Sequence, residues 1–335
     1  KKIMPKLLYN YFFLVLPFKT LFKREENMKF KIENVIKGAL ASFIGASMAF
    51  TANIAFADYP DKDITFIVPY SPGGGSDQMA RRLQPGLEKA LGVNVKIVYK
   101  TGGGGAVGFS ELHRSKPDGY TISNVVVPNV IITSKGDGIG YKPKDFSYIG
   151  MTEAAVGALM VPNDSPYQTL DQFVAAAKEK PGMLTVAGVG STGANRWGGL
   201  AEILGIETTY VPVSGGVGKM MPMLAGSHVD GGMTASNHAT KHKAIVKALV
   251  VAGNDEVATL PGVPTEPAWT YVTTWGIMAP PGTPADIVAK LNSALREAAT
   301  DASVRDALVK GGYNPIIQTV DEVNAFMDAQ IAIYE

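Results

Sequence analysis

Ile67-Val68-Pro69-Tyr70-Ser71-Pro72-Gly73-Gly74-Gly75-Ser76-Asp77 is a β-branched run that feeds three contiguous glycines and then two residues suited to cap a helix. Strand, glycine loop and helix start, in that order, make an anion cradle. Glycine lets the backbone approach a ligand, the first helical N–H groups have no partner inside the helix, and the helix dipole adds about half a positive charge there. The plainer reading is a βα turn whose glycines pack helix on strand, and the run taken alone supports both equally. Neither nucleotide fingerprint fits. No Gly-Lys-Ser/Thr end follows, and the glycines are contiguous rather than spaced Gly-x-Gly-x-x-Gly.

Two more joints of this kind follow. Val186-Ala187-Gly188-Val189-Gly190-Ser191-Thr192-Gly193-Ala194-Asn195-Arg196-Trp197 and Val211-Pro212-Val213-Ser214-Gly215-Gly216-Val217 each run from a strand through small residues into a helix. Ligands of open α/β sheets bind at the carboxyl ends of the strands, so three such loops on two facing sheets would line one crevice. Around them, apolar runs over 64–70, 95–99, 120–126, 183–189, 208–213, 229–233 and 248–252 alternate with helical patterns starting near Ser76, Ala106, Thr169, Ala194, Val217 and Ser236. That alternation predicts a doubly wound α/β fold.

A chain of 335 residues suits two such domains. Longer extended stretches over 148–161 and 271–279 fall where one set of βα units stops and another begins, and they read as two hinge crossings. The first lobe is then 58–150 plus 280–335, the second 151–270, with 271–279 the return crossing. Helical patterns over 284–300, 303–310 and 320–334 close the chain, with Gly311-Gly312 as a turn between the last two.

Net charge is +1, but the first 57 residues hold nine Lys or Arg against three acids, leaving the remainder with 22 basic and 27 acidic groups. A body of that sign has no general attraction for phosphate backbones, so nucleic acid is not an expected partner. Residues 28–57 join a short basic start to an apolar stretch from Gly38 to Phe50 and a small-residue end Ala55-Phe56-Ala57. This reads as a secretory signal cleaved before Asp58, giving a periplasmic protein. Residues 1–27 precede an internal Met28 and read as an upstream extension, with translation starting at Met28; a membrane-associated leader is the alternative. With no cysteine, the chain has neither a disulfide framework nor a lipid-modified cysteine after the signal.

From Tyr59-Pro60 through the opening run to Lys116-Pro117-Asp118-Gly119-Tyr120-Thr121, the sequence resembles the substrate receptors of tripartite tricarboxylate transporters, the Bordetella uptake family. The likeness continues in order through Val211-Pro212, Gly215-Gly216, Leu224-Ala225-Gly226, Val229-Asp230, Leu260-Pro261-Gly262-Val263-Pro264-Thr265 and Ala279-Pro280-Pro281-Gly282-Thr283-Pro284. The resemblance implies a two-lobed Venus-flytrap receptor of the periplasmic binding protein type 2 kind. Such a receptor closes on a small organic carboxylate and hands it to membrane transporter subunits, works as a monomer and needs no cofactor or metal. Carried over by position, first-lobe contacts would come from Tyr70, Ser71, Gly73, Gly74, Ser76 and Asp77, and second-lobe contacts from Gly190, Ser191, Thr192, Gly193, Gly215 and Gly216. Two departures stand out. Ala194-Asn195-Arg196-Trp197 replaces a stretch in which many members place a His, and Thr101-Gly102-Gly103-Gly104-Gly105 replaces an Asn-Arg-Pro-Gly-Ala-Gly-Gly type of loop.

Arg196 offers a planar fork for a second carboxylate; the plainer reading, an exposed helix arginine, is preferred. Asp77 reads as helix cap and loop organiser rather than ligand partner. Trp197, Tyr210, Tyr271 and Trp275 suit either an aromatic acid or packing. His238 and His242, four apart, read as a solvated face with Lys241 and Lys243 rather than a metal pair. Met220, Met221 and Met223 read as core filling. The ligand class stays open among dicarboxylates, tricarboxylates and aromatic acids. The rival functions are an amidohydrolase-like enzyme with a Ser191 or Thr192 nucleophile, and a ligand sensor for a membrane kinase. The enzyme is disfavoured because no His or Lys, and no acid other than Asp77, lies in the three glycine joints.

Overall fold

In a computed structural model describing residues 59–334, β1 (Ile64–Val68) sits between β2 (Val95–Tyr99) and β3 (Thr121–Val127), parallel to both. The expected leader over 1–57 lies outside the described residues. The crossovers are α1 (Gly75–Leu91) and α2 (Ala106–His113), and a short α3 (Asn129–Thr133) follows β3. β1 is covered on both faces, the reason it reads as one apolar run. α1 buries Met79, Leu83, Leu87 and Leu91 at four-residue spacing and stops at Gly92, which adopts the left-handed conformation of a C-cap.

The sixteen-residue β4 (Ser147–Pro162) then changes sheets. Over Ser147 to Val156 it pairs antiparallel with β10 (Val272–Ala279), and from Gly157 onward it joins β7 (Gly231–Ala235) and β8 (Val246–Ala252). The second sheet adds β5 (Thr185–Val189), parallel to β6 (Thr209–Val213) and β7, and the two-residue β9 (Thr265–Glu266) beside β8. Its helices are α4 (Leu170–Glu179), α5 (Gly190–Leu204), α6 (Val217–Ala225) and the short α7 (Asn237–Lys241). β10 carries the chain back to the first sheet, antiparallel to β3 and β4. After it come α8 (Ala285–Thr300), α9 (Ala302–Lys310), the short β11 (Asn314–Pro315) and α10 (Val320–Tyr334). α8 lies so close to α1 that a Cβ at Gly86 would fall 2.7 Å from the Ala298 methyl.

The chain thus builds two α/β sheets that share β4. The antiparallel β4 and β10 make both sheets mixed, whereas the βα units keep their parallel runs. Three apolar cores hold it together. One lies around the first sheet. The other two flank the second sheet, and β4 supplies both by alternation: Leu159 and Val161 go to one, Ala158 and Met160 to the other. Met220 and Met221 fill the latter. The largest departure from the sequence pattern is at α5, which begins at Gly190, four residues before the expected Ala194. Gly, Ser and Thr are indifferent helix formers, so their run reads as loop; tertiary context extends the helix through it.

Candidate functional site

A cavity of about 490 Å³, measured out to its mouth, opens where the parallel strands of both sheets end. Three helices begin at its wall: α1 through Gly74, Gly75 and Ser76, α5 through Thr192 and Gly193, and α6 through Gly216 and Val217. Their N-cap residues are Gly74, Val189 and Gly216, which have no side-chain oxygen to offer, and no side-chain cap is made at any of the three. Each helix therefore presents amide hydrogens and the positive end of its dipole with no N-cap side chain bonded to them. Space is as tight as the chemistry requires. A Cβ at Gly75 would sit 2.9 Å from the Trp275 indole, and one at Gly216 would sit 3.1 Å from the Tyr70 Cβ.

No acidic side chain lines this cavity among the described residues, yet Arg196 does, at 6% exposure. This overturns the exposed-helix reading of Arg196. Its guanidinium lies 3.8 Å from the centroid of the Tyr271 ring and donates from Nη2 to Thr273 Oγ1 at 2.9 Å, while Nε has no partner. It forms no salt bridge among the described residues. Burial pushes the Tyr271 hydroxyl up to about 12 although Arg196 opposes it, so the phenol stays neutral and supplies a π face, not a counter-charge. A buried cation without a counter-ion is costly, and a site that keeps one is built for an anion from elsewhere.

His238 also lines the cavity, 1% exposed, which overturns its assignment to a solvated face. Burial first, then the neighbouring His242, Lys241 and Arg196, hold it down to about 3, so it is a neutral imidazole at any ordinary pH. His242 stacks on it at 6.4 Å; no cluster able to hold a metal occurs among the described residues. Besides Arg196 Nε, three buried polar atoms on the lining, Thr192 Oγ1, His238 Nδ1 and Asn129 Oδ1, have no partner in the protein.

The structure gathers Tyr70, Gly74, Ser76, Thr192, Gly193, Arg196 and Gly216 on this wall and leaves the other expected residues off it. Ser191 is exposed. Gly190 approaches Gly104, and its carbonyl accepts from the Tyr210 hydroxyl at 2.8 Å. Asp77 organises the loop: its carboxylate accepts from the Gly73 amide, the Tyr99 hydroxyl and Arg81. Burial raises that carboxyl, but these hydrogen bonds outweigh it and hold the group below its usual range. Ser71, Gly73 and Gly215 belong to a clasp across the mouth. The Ser71 amide donates to the Gly215 carbonyl at 2.6 Å and Lys241 Nζ to the Gly73 carbonyl at 2.8 Å. A Cβ at Gly218 would fall 2.3 Å from the Pro72 carbonyl oxygen. Trp197 packs in the core, with Nε1 bonded to Thr208, and of the four singled-out aromatics Trp275 alone reaches the wall.

Sequence reasoning missed Asn129 and Thr273 as lining residues. Asn129 follows β3 as the other loops follow their strands, but Val127-Pro128-Asn129 has no glycine to advertise a joint. A rule that inspected every strand end would have reached it.

A family model described as "Tripartite tricarboxylate transporter family receptor" matches residues 79–334. A UPF0065 protein from the gbd 5' region of Cupriavidus necator is 31% identical over 266 residues, covering 77% of this chain and 80% of that protein. BugT of Bordetella pertussis is 27% identical over 305 residues, covering 85% and 91%. Among solved structures, the periplasmic binding protein BugD superposes with a TM-score of 0.77 at 25% identity, covering 82% of this chain and 96% of that one. MatC from Rhodopseudomonas palustris, solved with bound malate, gives 0.75 at 25% identity, with 83% and 99% covered.

Proposed function

The chain belongs to the family of tripartite tricarboxylate transporter receptors, and from that premise we propose that it captures a small organic carboxylate in the cavity at the ends of α1, α5 and α6. It then delivers the ligand to the membrane subunits of such a transporter, as a periplasmic monomer freed from its leader at Asp58. The observation that carries the reading is the buried Arg196 guanidinium, held by Tyr271 and Thr273 with no carboxylate of its own, in a cavity without an acidic wall. One ligand carboxylate meets Arg196 and the free amides at the α1, α5 and α6 N-termini share the remaining negative charge. The malate carried by MatC agrees in chemical class. For the lobes, expected at 58–150 with 280–335 against 151–270, we propose a boundary at Gly157, where β4 changes sheets, and we assign the clasp from Ser71 and Gly73 to Gly215 and Lys241 to the closed form.

The hydrolase reading loses its nucleophile. Ser191 is off the wall, and Thr192 Oγ1 and His238 Nδ1 are both without hydrogen-bond partners, so no base touches the hydroxyl. The test is a thermal-shift and calorimetry panel of di-, tri- and aromatic carboxylates. A true ligand at a hundred times its Kd stabilises the protein by about 2.7 kcal/mol. A panel in which no carboxylate raises the melting temperature refutes the proposal.

A further inference from the structure

The cavity wall offers donors almost everywhere, and one of its buried polar atoms breaks that pattern. Asn129 is 7% exposed and stands on the wall. Its Oδ1 atom is a buried acceptor with no partner in the protein.

A carboxylate cannot satisfy an acceptor, since it has no hydrogen to give. The ligand must bring a donor besides its carboxylate. Of the two small donors, an ammonium suits the site poorly: Arg196 already places a cation on the same wall, and no acid is present to balance a second. A hydroxyl adds a donor without charge and can also accept, which suits the unpartnered Thr192 Oγ1 and the neutral His238 on the same wall.

We infer that the site selects hydroxy acids, with Asn129 Oδ1 accepting the hydroxyl hydrogen of a ligand whose carboxylate is held as proposed above. This inference rests on that proposal but fails separately from it. The test is calorimetry on the mature protein with matched pairs: lactate against propionate, malate against succinate, citrate against propane-1,2,3-tricarboxylate. In the pair whose size fits, the hydroxy acid is expected to bind roughly tenfold tighter or better, because its deoxy partner leaves a buried acceptor unpaired. 2-Fluorosuccinate keeps the size of malate's substituent but has no hydrogen to donate, and it should bind no better than succinate. In Asn129→Leu the ratio within the fitting pair should fall towards one, with melting curves confirming a folded protein; the fluorinated probe tests the same point in the unaltered protein. Carboxylates that bind without any preference for the hydroxyl, a hydroxyl preference that survives in Asn129→Leu, or aspartate binding tighter than malate would each overturn the inference and leave carboxylate capture standing. Failure of every acid to bind would overturn both.

Discussion

Replacing Arg196 with Met keeps most of the side chain's length and removes its charge. Two effects with opposite signs follow. In the bound state the ligand carboxylate loses a buried, charge-assisted partner, a loss of about 3 kcal/mol within the range for truncated buried charge pairs, or roughly 150-fold in affinity. In the unliganded closed form the balance reverses. Burying the guanidinium at 6% exposure without a counter-ion costs several kcal/mol, and the Tyr271 face and the Thr273 hydroxyl each return only about 2 kcal/mol. Removing the charge should therefore leave stability unchanged or raise it by about 1 kcal/mol, a rise of roughly 2–4 °C in Tm for a protein of this size. Calorimetry for affinity and scanning calorimetry of the unliganded protein read the two effects independently. The reasoning is refuted if Arg196→Met binds carboxylates as tightly as the parent. It is equally refuted by a melting temperature that drops as though a structural ion pair, worth about 3–5 kcal/mol, had been cut.

Adjacent hydroxyls should separate cleanly: Thr192→Val weakens ligand binding, by about 1–3 kcal/mol, whereas Ser191→Ala, an exposed change, leaves calorimetric affinity as it was. His238 is neutral in the folded protein down to about 3, whereas an unfolded chain protonates it near 6.5. The unfolded state therefore binds the extra proton between those values, and this residue's contribution to stability is lost as pH falls from 6.5, by up to about 1.4 kcal/mol per pH unit. Melting temperatures of His238→Gln between pH 7 and 4 should fall less steeply than those of the parent; parallel curves would refute this assignment. Gly218→Ala places a methyl against the Pro72 carbonyl at a distance no real contact shows, so it should hinder closure. Lower affinity and a larger liganded radius of gyration in small-angle scattering are expected, and a radius that contracts with ligand as in the parent would contradict the clasp.

Much of this molecule is legible in its residues. β2 covers the apolar run 95–99 without an error, and the helices after Pro280 begin and end within a residue of their patterns, because strong periodicity and clear glycine or proline stops agree there. The three glycine joints do meet at one cavity. What escaped depends on distant partners or on phase. Arg196 is buried because Tyr271 and Thr273, far along the chain, cover it. Thr192 faces inward and Ser191 outward because α5 starts at Gly190, and each residue turns a helix by about 100°. The burial of His238 is set by the packing of a five-residue helix that its own sequence, Asn237-His238-Ala239-Thr240-Lys241, does not announce.

β4 gives its first ten residues to one sheet and the remainder to the other, and Gly157 stands at the change, its amide bonded to the Tyr271 carbonyl while its neighbours pair with β7. The two sheets are thus held by one continuous ribbon rather than by a slack cord, so a displacement of either one is carried to the other through the strand itself.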